Sequence, residues 1–459
     1  MKINPIIFKS YDIRGIYPKE LDNEAAFEIG QAFVRHTGAK NIVVARDTRL
    51  AGEELLRTLT DGIRSLGVNV CDIGKVPTEC LYFAVGTYDF DAGIMITASH
   101  NPKEYNGFKM LYRPKFESEK GLKITGKDIN IVRGKDLFLT VQSADKAQKF
   151  KGEKGEFTKK DVLEDYINHI SAFVDSDLIK PFSIIVDASN GVAGAVISKI
   201  GEQLPVKISL LNHKPDGNFP NHSPNPLLEG SINQIRDEIN TQKADFGFIF
   251  DGDADRIFMV DEKGEIVRAD VVLLLLAKYF LKKYPNSAIA YNAICSKAVP
   301  EFIEKWQGKP IRTQVGFVNV REGLLKNDGT MGGELSGHYC FKDNFYLDSG
   351  TISFLVLLQV ISESSKKVSE IVAELSPYAK SSEINFEVEN KDEILKKIKQ
   401  KYSDGKQDYL DGITVEYDDW WLNVRPSNTE PLLRLTIEAE TPLLLDIKKN
   451  ELREFISGF

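Results

Sequence analysis

The residues best placed to do chemistry fall in four polar loops. In IMITASHNPKEYNGFK (94–109) an apolar strand over 93–96 carries the chain into Thr97, Ala98, Ser99, His100, Asn101 and Pro102. A serine hydroxyl needs activation before it attacks, and a phosphoryl group on it needs cationic or metal neighbours. His100 and Lys109 offer a proton acceptor and a positive charge. Ser, Asn and Pro also build ordinary turns, so this loop by itself leaves both readings open.

The second loop, IFDGDADR (249–256), ends the strand-like run FGFIF and alternates Asp251, Asp253 and Asp255 with small residues. An extended backbone places alternate side chains on one side, so three carboxylates can converge on one hard cation. Mg²⁺ suits such a set, because it takes few carboxylates and completes its sphere with phosphate oxygens. An EF-hand does not fit. Counting from Asp251, Glu262 stands at position twelve, but position six is Arg256 where that loop requires glycine, and IFMVD then reads as a strand. The aspartyl-nucleophile pattern DxDx[TV] also fits poorly, with Asp255 at its last position. A solvated acidic turn is the plain alternative, opposed by the mutual repulsion of clustered carboxylates.

In GGELSGHYCF (332–341), Glu334, Ser336 and His338 present an acceptor, a hydroxyl and an imidazole at spacing two, a set suited to sugar hydroxyls. A glycine-bracketed turn would use the same letters. In VRPSNTEPLLRL (424–435), Arg425 with Ser427, Asn428 and Thr429 joins a guanidinium fork to short donors, as a phosphate dianion requires. A plain hairpin loop is again the alternative. Taken together, the loops supply a nucleophile, a cation site, a polyol reader and a dianion clamp, which is what a phosphosugar enzyme needs.

The elements that must position these loops recur. A strand over 41–45, a helix over 51–67 and a strand over 68–74 are followed by the same order at 182–188, 191–204 and 206–211, and again at 288–293, 296–306 and 310–315. Apolar β-rich runs followed by amphipathic helices indicate βαβ units in covered sheets, hence three α/β domains. The end differs: strands over 383–389, 412–417, 420–424 and 432–440 around a charged helix near 391–400 predict an α+β domain with an antiparallel sheet. Connectors are expected at 141–160 and 362–367, read as solvated linker or helix face.

The chain of 459 residues, at roughly 150 per domain, allows three domains or four. With 42% hydrophobic residues it holds enough apolar side chains to exclude a disordered chain. A net charge of −8 argues against a general binder of nucleic acid or anionic membrane. The longest apolar run, 271–277, is stopped by Lys278, far short of the roughly 20 residues of a bilayer span, and reads as a buried helix. The N-terminal segment has polar residues and a proline where a signal peptide needs an unbroken apolar stretch. Cys71, Cys80, Cys295 and Cys340 form no CxxC pair, and six histidines show no zinc spacing. A cytoplasmic protein with reduced thiols is expected.

In these motifs the chain resembles the α-D-phosphohexomutase superfamily, most closely its bacterial phosphomannomutase/phosphoglucomutase members. FKSYDIRG (8–15), TASHNP (97–102), DGDADR (251–256), GELSGH (333–338) and RPSNTEP (425–431) match in family order. The resemblance implies three similar α/β domains with mixed sheets and a smaller α+β C-terminal domain around a central cleft. They divide at 1–150, 151–256, 257–370 and 371–459. It implies a phosphohexomutase that interconverts hexose 6-phosphate and hexose 1-phosphate, of mannose, glucose or both. Ser99 would be the phosphoserine, with Mg²⁺ on Asp251, Asp253, Asp255 and that serine, and hexose 1,6-bisphosphate the intermediate and activator. Glu334, Ser336 and His338 would meet the sugar, and Arg425, Ser427, Asn428 and Thr429 its non-reacting phosphate. Tyr11, Arg14, His100, Lys109 and Arg256 would sit in or beside the cleft, with His100 and Lys109 the proton-transfer candidates. Partners would be phosphosugars alone, without nucleic acid or membrane, and the chain a monomer or homodimer.

Two departures bear on the sugar. Phe317 stands where phosphomannomutase-like members often have histidine, and Ile294 where some have a basic residue. Phosphoglucosamine mutase, phosphopentomutase, a Mg-dependent sugar-phosphate phosphatase and a non-catalytic sensor are the rival readings.

Overall fold

The strand Asn41–Arg46 runs between two parallel neighbours, Asn69–Lys75 and Ala92–Ile96, and the last of these pairs antiparallel with Tyr105–Tyr112. Ser183–Asp187 lies in the same way between Lys207–Leu211 and Phe246–Phe250, which pairs antiparallel with Ile257–Val260. Ala288–Asn292 lies between Lys309–Thr313 and Met331–Gly333, again parallel. The recurrence read from the sequence is therefore a recurrence of topology. The three loops singled out in the first three domains occupy equivalent places. Ser99, Asp251 and Glu334 each follow the third parallel strand of their repeat, at its carboxyl end, where open α/β sheets expose their ligands.

The computed structural model describes residues 3–114, 126–143, 152–388, 390–427 and 432–458. These form two units, one of Met1–Arg268 with Ser336–Val368, the other of Ala269–Leu335 with Ser369–Phe459.

In the first unit, Ile13–Ile16 closes one edge of the leading sheet against Tyr105–Tyr112, and Phe157–Lys159 extends the other along Asn69–Lys75. Ala92–Ile96 and Phe246–Phe250 are buried throughout, because helices cover the sheet faces. Helix Asn23–Thr37 begins at Asp22, whose carboxylate accepts from the Ala25 amide, and ends at Gly38 in the left-handed region. It packs on helix Gly52–Arg64 through two glycines. A Cβ on Gly30 would stand 2.5 Å from the Leu59 carbonyl, and one on Gly62 would stand 2.2 Å from that of Phe27. Helix Gly350–Ser362 is apolar on all sides and almost wholly buried, with Phe354 edge-on to Phe248 at 5.1 Å.

In the second unit, helix Ala269–Lys283 contains the apolar run 271–277 and is buried as expected. The C-terminal sheet is antiparallel throughout, with Leu432–Ala439 paired to Trp420–Pro426. Ile394 and Ile398 from helix Lys391–Lys401, and Leu452 and Ile456 from helix Pro442–Ser457, pack on Leu422, Val424 and Leu433. Three α/β domains and a smaller α+β domain are what the chain forms. Of the connector expected at 141–160, the first residues close helix Gly134–Ser143, 157–159 form a strand, and 144–151 lie outside the described residues. Among the described residues no helix is long and apolar enough to cross a membrane.

Candidate active site

Ser99 sits in the turn after strand Ala92–Ile96 with φ of 52°, in the left-handed region that a serine adopts only under constraint. Arg49 supplies the constraint. One guanidinium nitrogen donates to the carbonyls of Ser99 and Asn101 at 2.8 and 2.6 Å, the other to those of Pro102 and Tyr105 at 2.7 and 2.8 Å. Asp47 orients Arg49 through an ion pair of 3.2 Å and accepts from the Thr97 hydroxyl, which in turn accepts from the Ser99 amide. Arg14, paired with Asp12, donates to the Ala98 carbonyl and the Asn101 side chain. The turn is thus held through the carbonyls of Ala98, Ser99, Asn101, Pro102 and Tyr105.

The aspartate loop meets this turn closely. A Cβ on Gly252 would lie 2.8 Å from the Ser99 carbonyl, so glycine is required there. The Ser99 hydroxyl donates to Asp251 at 2.8 Å and lies 3.2 Å from Nδ1 of His100. Asp251, Asp253 and Asp255 are buried, and one oxygen of each lies within 4.8 Å of the others. Lys109 donates to Asp253 at 2.6 Å and to Asp255, and the Thr78 hydroxyl donates to Asp253 at 2.6 Å. One oxygen of Asp253 and one of Asp255 still have no hydrogen-bond partner. Buried carboxylate oxygens left over by the protein are what a hard divalent ion would complete, and the donor set suits Mg²⁺.

On the far side of the triad, Arg256 donates its amide to Asp251 at 3.3 Å and its Nε to His338 at 3.1 Å. Ser336 and His338 share a hydrogen bond of 2.8 Å, and His338 stands 3.5 Å from Asp255 and 3.7 Å from Asp348. Burial and the neighbouring carboxylates of Asp253 and Asp255 push Asp251 well above the usual range. Burial alone would depress the Lys109 ammonium, but Asp253 and Asp255 hold it above its ordinary value. Burial, then the positive charges of Arg256 and Arg14, holds His100 well below the usual histidine value, so its imidazole is a neutral acceptor. Burial and then Asp255 raise Asp348.

The first unit therefore gathers Arg14, Ser99, His100, Lys109, Asp251, Asp253, Asp255, Arg256, Ser336 and His338 in one network; Tyr11 lies half-buried just before strand Ile13–Ile16. In the second unit Glu334 is buried and accepts from the Gly316 amide at 3.0 Å, at the head of the helix that Phe317 opens. The Arg425 guanidinium donates to Glu383 at 2.8 Å, and Glu383 also pairs with Arg434 at 3.1 Å, a carboxylate in a fork of arginines that suits an oxyanion. The Ser427 amide donates to the Leu432 carbonyl, and Asn428 and Thr429 lie outside the described residues. Ile294 is buried, and its carbonyl accepts from Lys380 at 2.7 Å.

Sequence reasoning passed over Asp47, Arg49, Thr78, Asp348 and Glu383. The signal for the first two was in the text: RDTR (46–49) follows an apolar strand directly, and such a charged stretch at a strand end is either solvated or doing a job in the fold.

A multidomain α/β enzyme with a buried serine resting on a triad of buried carboxylates is the class these observations define. Family models for phosphoglucomutase/phosphomannomutase match the chain in order. Alpha/beta/alpha domains I, II and III match at residues 5–129, 164–264 and 268–378, and the C-terminal domain at 383–453. Phosphomannomutases from Vibrio cholerae and Methanocaldococcus jannaschii are each 34% identical to it, with 98% of both chains covered. A crystal structure of a phosphoglucomutase/phosphomannomutase family protein from Burkholderia thailandensis superposes with a TM-score of 0.87 at 32% identity, covering 99% of this chain and 98% of that one. The chain belongs to the phosphoglucomutase/phosphomannomutase family, and it is an isomerase of the phosphohexomutase kind.

Proposed function

We propose that the protein moves a phosphoryl group reversibly between the 1- and 6-positions of an aldohexose, mannose and glucose alike, through a phosphoserine at Ser99 and a hexose 1,6-bisphosphate. The observation that carries this reading is the Ser99 hydroxyl resting on Asp251, inside a triad of buried carboxylates with oxygens to spare. Phosphate esters are inert, with enzymatic accelerations of their hydrolysis reaching ~10²¹. Positioning and charge therefore have to supply most of the catalysis.

In the outward half-reaction the serine ester bond to phosphorus breaks as a sugar hydroxyl oxygen bonds to it, and of the two proton-transfer candidates His100, neutral here, takes the hydroxyl proton while the Lys109 ammonium keeps its own. In the return half the bisphosphate gives its other phosphoryl group to the Ser99 oxygen. A divalent ion, best Mg²⁺, on Asp251, Asp253 and Asp255 would offset charge on the phosphoryl oxygens. Arg14, Tyr11 and Arg256 flank the ester in this reading; Glu334, Ser336 and His338 read sugar hydroxyls. Arg425, Ser427, Asn428 and Thr429 hold the phosphate that does not react. Glucose and mannose differ only at C2, so a reader of the other hydroxyls accepts both.

The same reading keeps the four-domain division at 150, 256 and 370, a cytoplasmic setting in keeping with four buried free cysteines, and phosphosugars as sole partners of a monomer or homodimer. The test is turnover of mannose 1-phosphate, glucose 1-phosphate and glucosamine 1-phosphate with Mg²⁺ and a trace of bisphosphate, alongside intact-mass analysis. Isomer formation from the first two, with one phosphoryl group on Ser99, is expected. Fastest turnover of the glucosamine ester would make it a phosphoglucosamine mutase, and inorganic phosphate without isomer would make it a phosphatase.

A further inference from the structure

Asp47 and Asp187 hold equivalent places in two repeats, Asp47 directly after the middle strand Asn41–Arg46 and Asp187 at the end of the middle strand Ser183–Asp187. Each accepts from the backbone amide two residues on, Asp47 from Arg49 at 2.9 Å and Asp187 from Ser189 at 2.8 Å. In the first repeat Arg49 then reaches across to the carbonyls of the serine turn. In the second, the Ser189 hydroxyl reaches across to the Phe250 carbonyl at 2.5 Å, one residue before Asp251. One brace holds the serine turn and the other the aspartate loop.

The second brace is as firmly seated as the first. Asp187 is fully buried, accepts from the Asn212 amide group through both oxygens at 3.0 Å, and lies 3.0 Å from Nε2 of His222. Nδ1 of His222 donates to the Ser223 carbonyl at 2.8 Å, so both ring nitrogens are engaged. Ser189 is 1% exposed and has φ of 52°, the same left-handed setting as Ser99. Two residues on, a Cβ on Gly191 would stand 2.5 Å from the Gly252 carbonyl, and the Val192 amide donates to that carbonyl at 3.3 Å. Gly252 also meets the Ser99 carbonyl, so the aspartate loop is clamped between residues 189–192 and the serine turn.

We propose that Ser189 is a positioning residue for the divalent ion: by holding the Phe250 carbonyl it fixes where the carboxylates of the aspartate loop stand, and so sets Mg²⁺ affinity. This rests on the reading that Asp251, Asp253 and Asp255 hold that ion. Mg²⁺ demands near-ideal octahedral geometry, so a loop free to relax at Phe250 presents its oxygens less well. Isothermal titration of the chelator-stripped full chain with magnesium chloride tests it, with the Mg²⁺-dependent rise in Tm as second readout. Ser189→Ala and Ser189→Gly should each weaken Mg²⁺ binding by roughly twofold to tenfold, the worth of one net hydrogen bond. Glycine takes a φ of 52° without strain, so a loss of affinity in Ser189→Gly reports the missing hydroxyl and not a distorted backbone. Ser362→Ala removes another buried hydroxyl, which donates to the Leu358 carbonyl at 2.7 Å, and should bind Mg²⁺ as the wild type does. Wild-type affinity in a folded Ser189→Gly chain, or an equal loss in Ser362→Ala, would overturn the inference and leave the cation reading standing. A wild-type chain that binds no Mg²⁺ would overturn both.

Discussion

The hydroxyl of Ser99 donates to the carboxylate of Asp251 at 2.8 Å although 152 positions separate the two residues. Only the folded first unit brings them together, so the contact reports the assembly of the site itself. Replacing Ser99 by alanine removes the acceptor oxygen for phosphate while leaving the turn in place, since Arg49 holds the backbone and not the side chain. Mutase turnover is expected to fall by orders of magnitude and the phosphorylated species to vanish from the intact-mass spectrum. Stability should change by about 1 kcal/mol. Retained turnover in a folded Ser99→Ala protein would end the phosphoserine reading.

The Arg49 fork meets four carbonyls of the serine turn at 2.6 to 2.8 Å and has no assigned contact with substrate. Lysine cannot reproduce that planar geometry. Arg49→Ala leaves Asp47 buried without its partner and is expected to cost about 3–5 kcal/mol in denaturant unfolding. Arg49→Lys should lose less stability but still lower kcat at little change in KM, because the serine and not the sugar is displaced. Equal kcat in Arg49→Lys and wild type would show that the turn keeps its shape without the fork.

Three buried carboxylates within 4.8 Å of one another repel unless a cation offsets them. Chelation is therefore expected to abolish turnover and lower Tm, and added Mg²⁺ to restore both. At a hundred times its Kd the ion adds about 2.7 kcal/mol. Asp253→Asn should blunt the Mg²⁺-dependent rise in Tm. A Tm indifferent to chelator and Mg²⁺ would argue that Lys109 alone neutralises the loop.

Glu79, buried in helix Thr78–Thr87, accepts from the Thr351 hydroxyl at 2.7 Å, and burial raises it from 4.5 to about 7. Below pH 4.5 both folded and unfolded chains hold the proton. Between 4.5 and about 7 only the folded chain still holds it, so stability falls as pH rises through that window and levels off above it. One pKa unit is worth about 1.4 kcal/mol, which makes the loss roughly 3 kcal/mol. Thermal melts of Glu79→Gln from pH 4.5 to 8 should lack this portion of the slope, and superimposable profiles would assign the slope elsewhere.

Much of this was legible in the residues. The runs at 41–45, 182–188 and 288–293 each hold the middle one of three parallel strands, because short apolar stretches between turn signals have few other ways to be buried. The polar loops after FGFIF and at TASHNP stood out for the same reason: short polar motifs at the carboxyl ends of apolar strands. Arg49 showed only as one charge of RDTR at a strand end, and Glu383 not at all, since their partners lie 50 and 42 positions away and no local pattern encodes such a distance. Helix Gly350–Ser362 shows no amphipathic alternation because every side of it is covered, which erases the periodicity that would announce it.

The first unit is built from two separate stretches, and the second stretch brings His338 to Arg256 across 82 positions. During synthesis Arg256 and the aspartates emerge well before the imidazole that joins them. The nascent chain must therefore carry an unfinished polar core while the strands of another sheet are still being made.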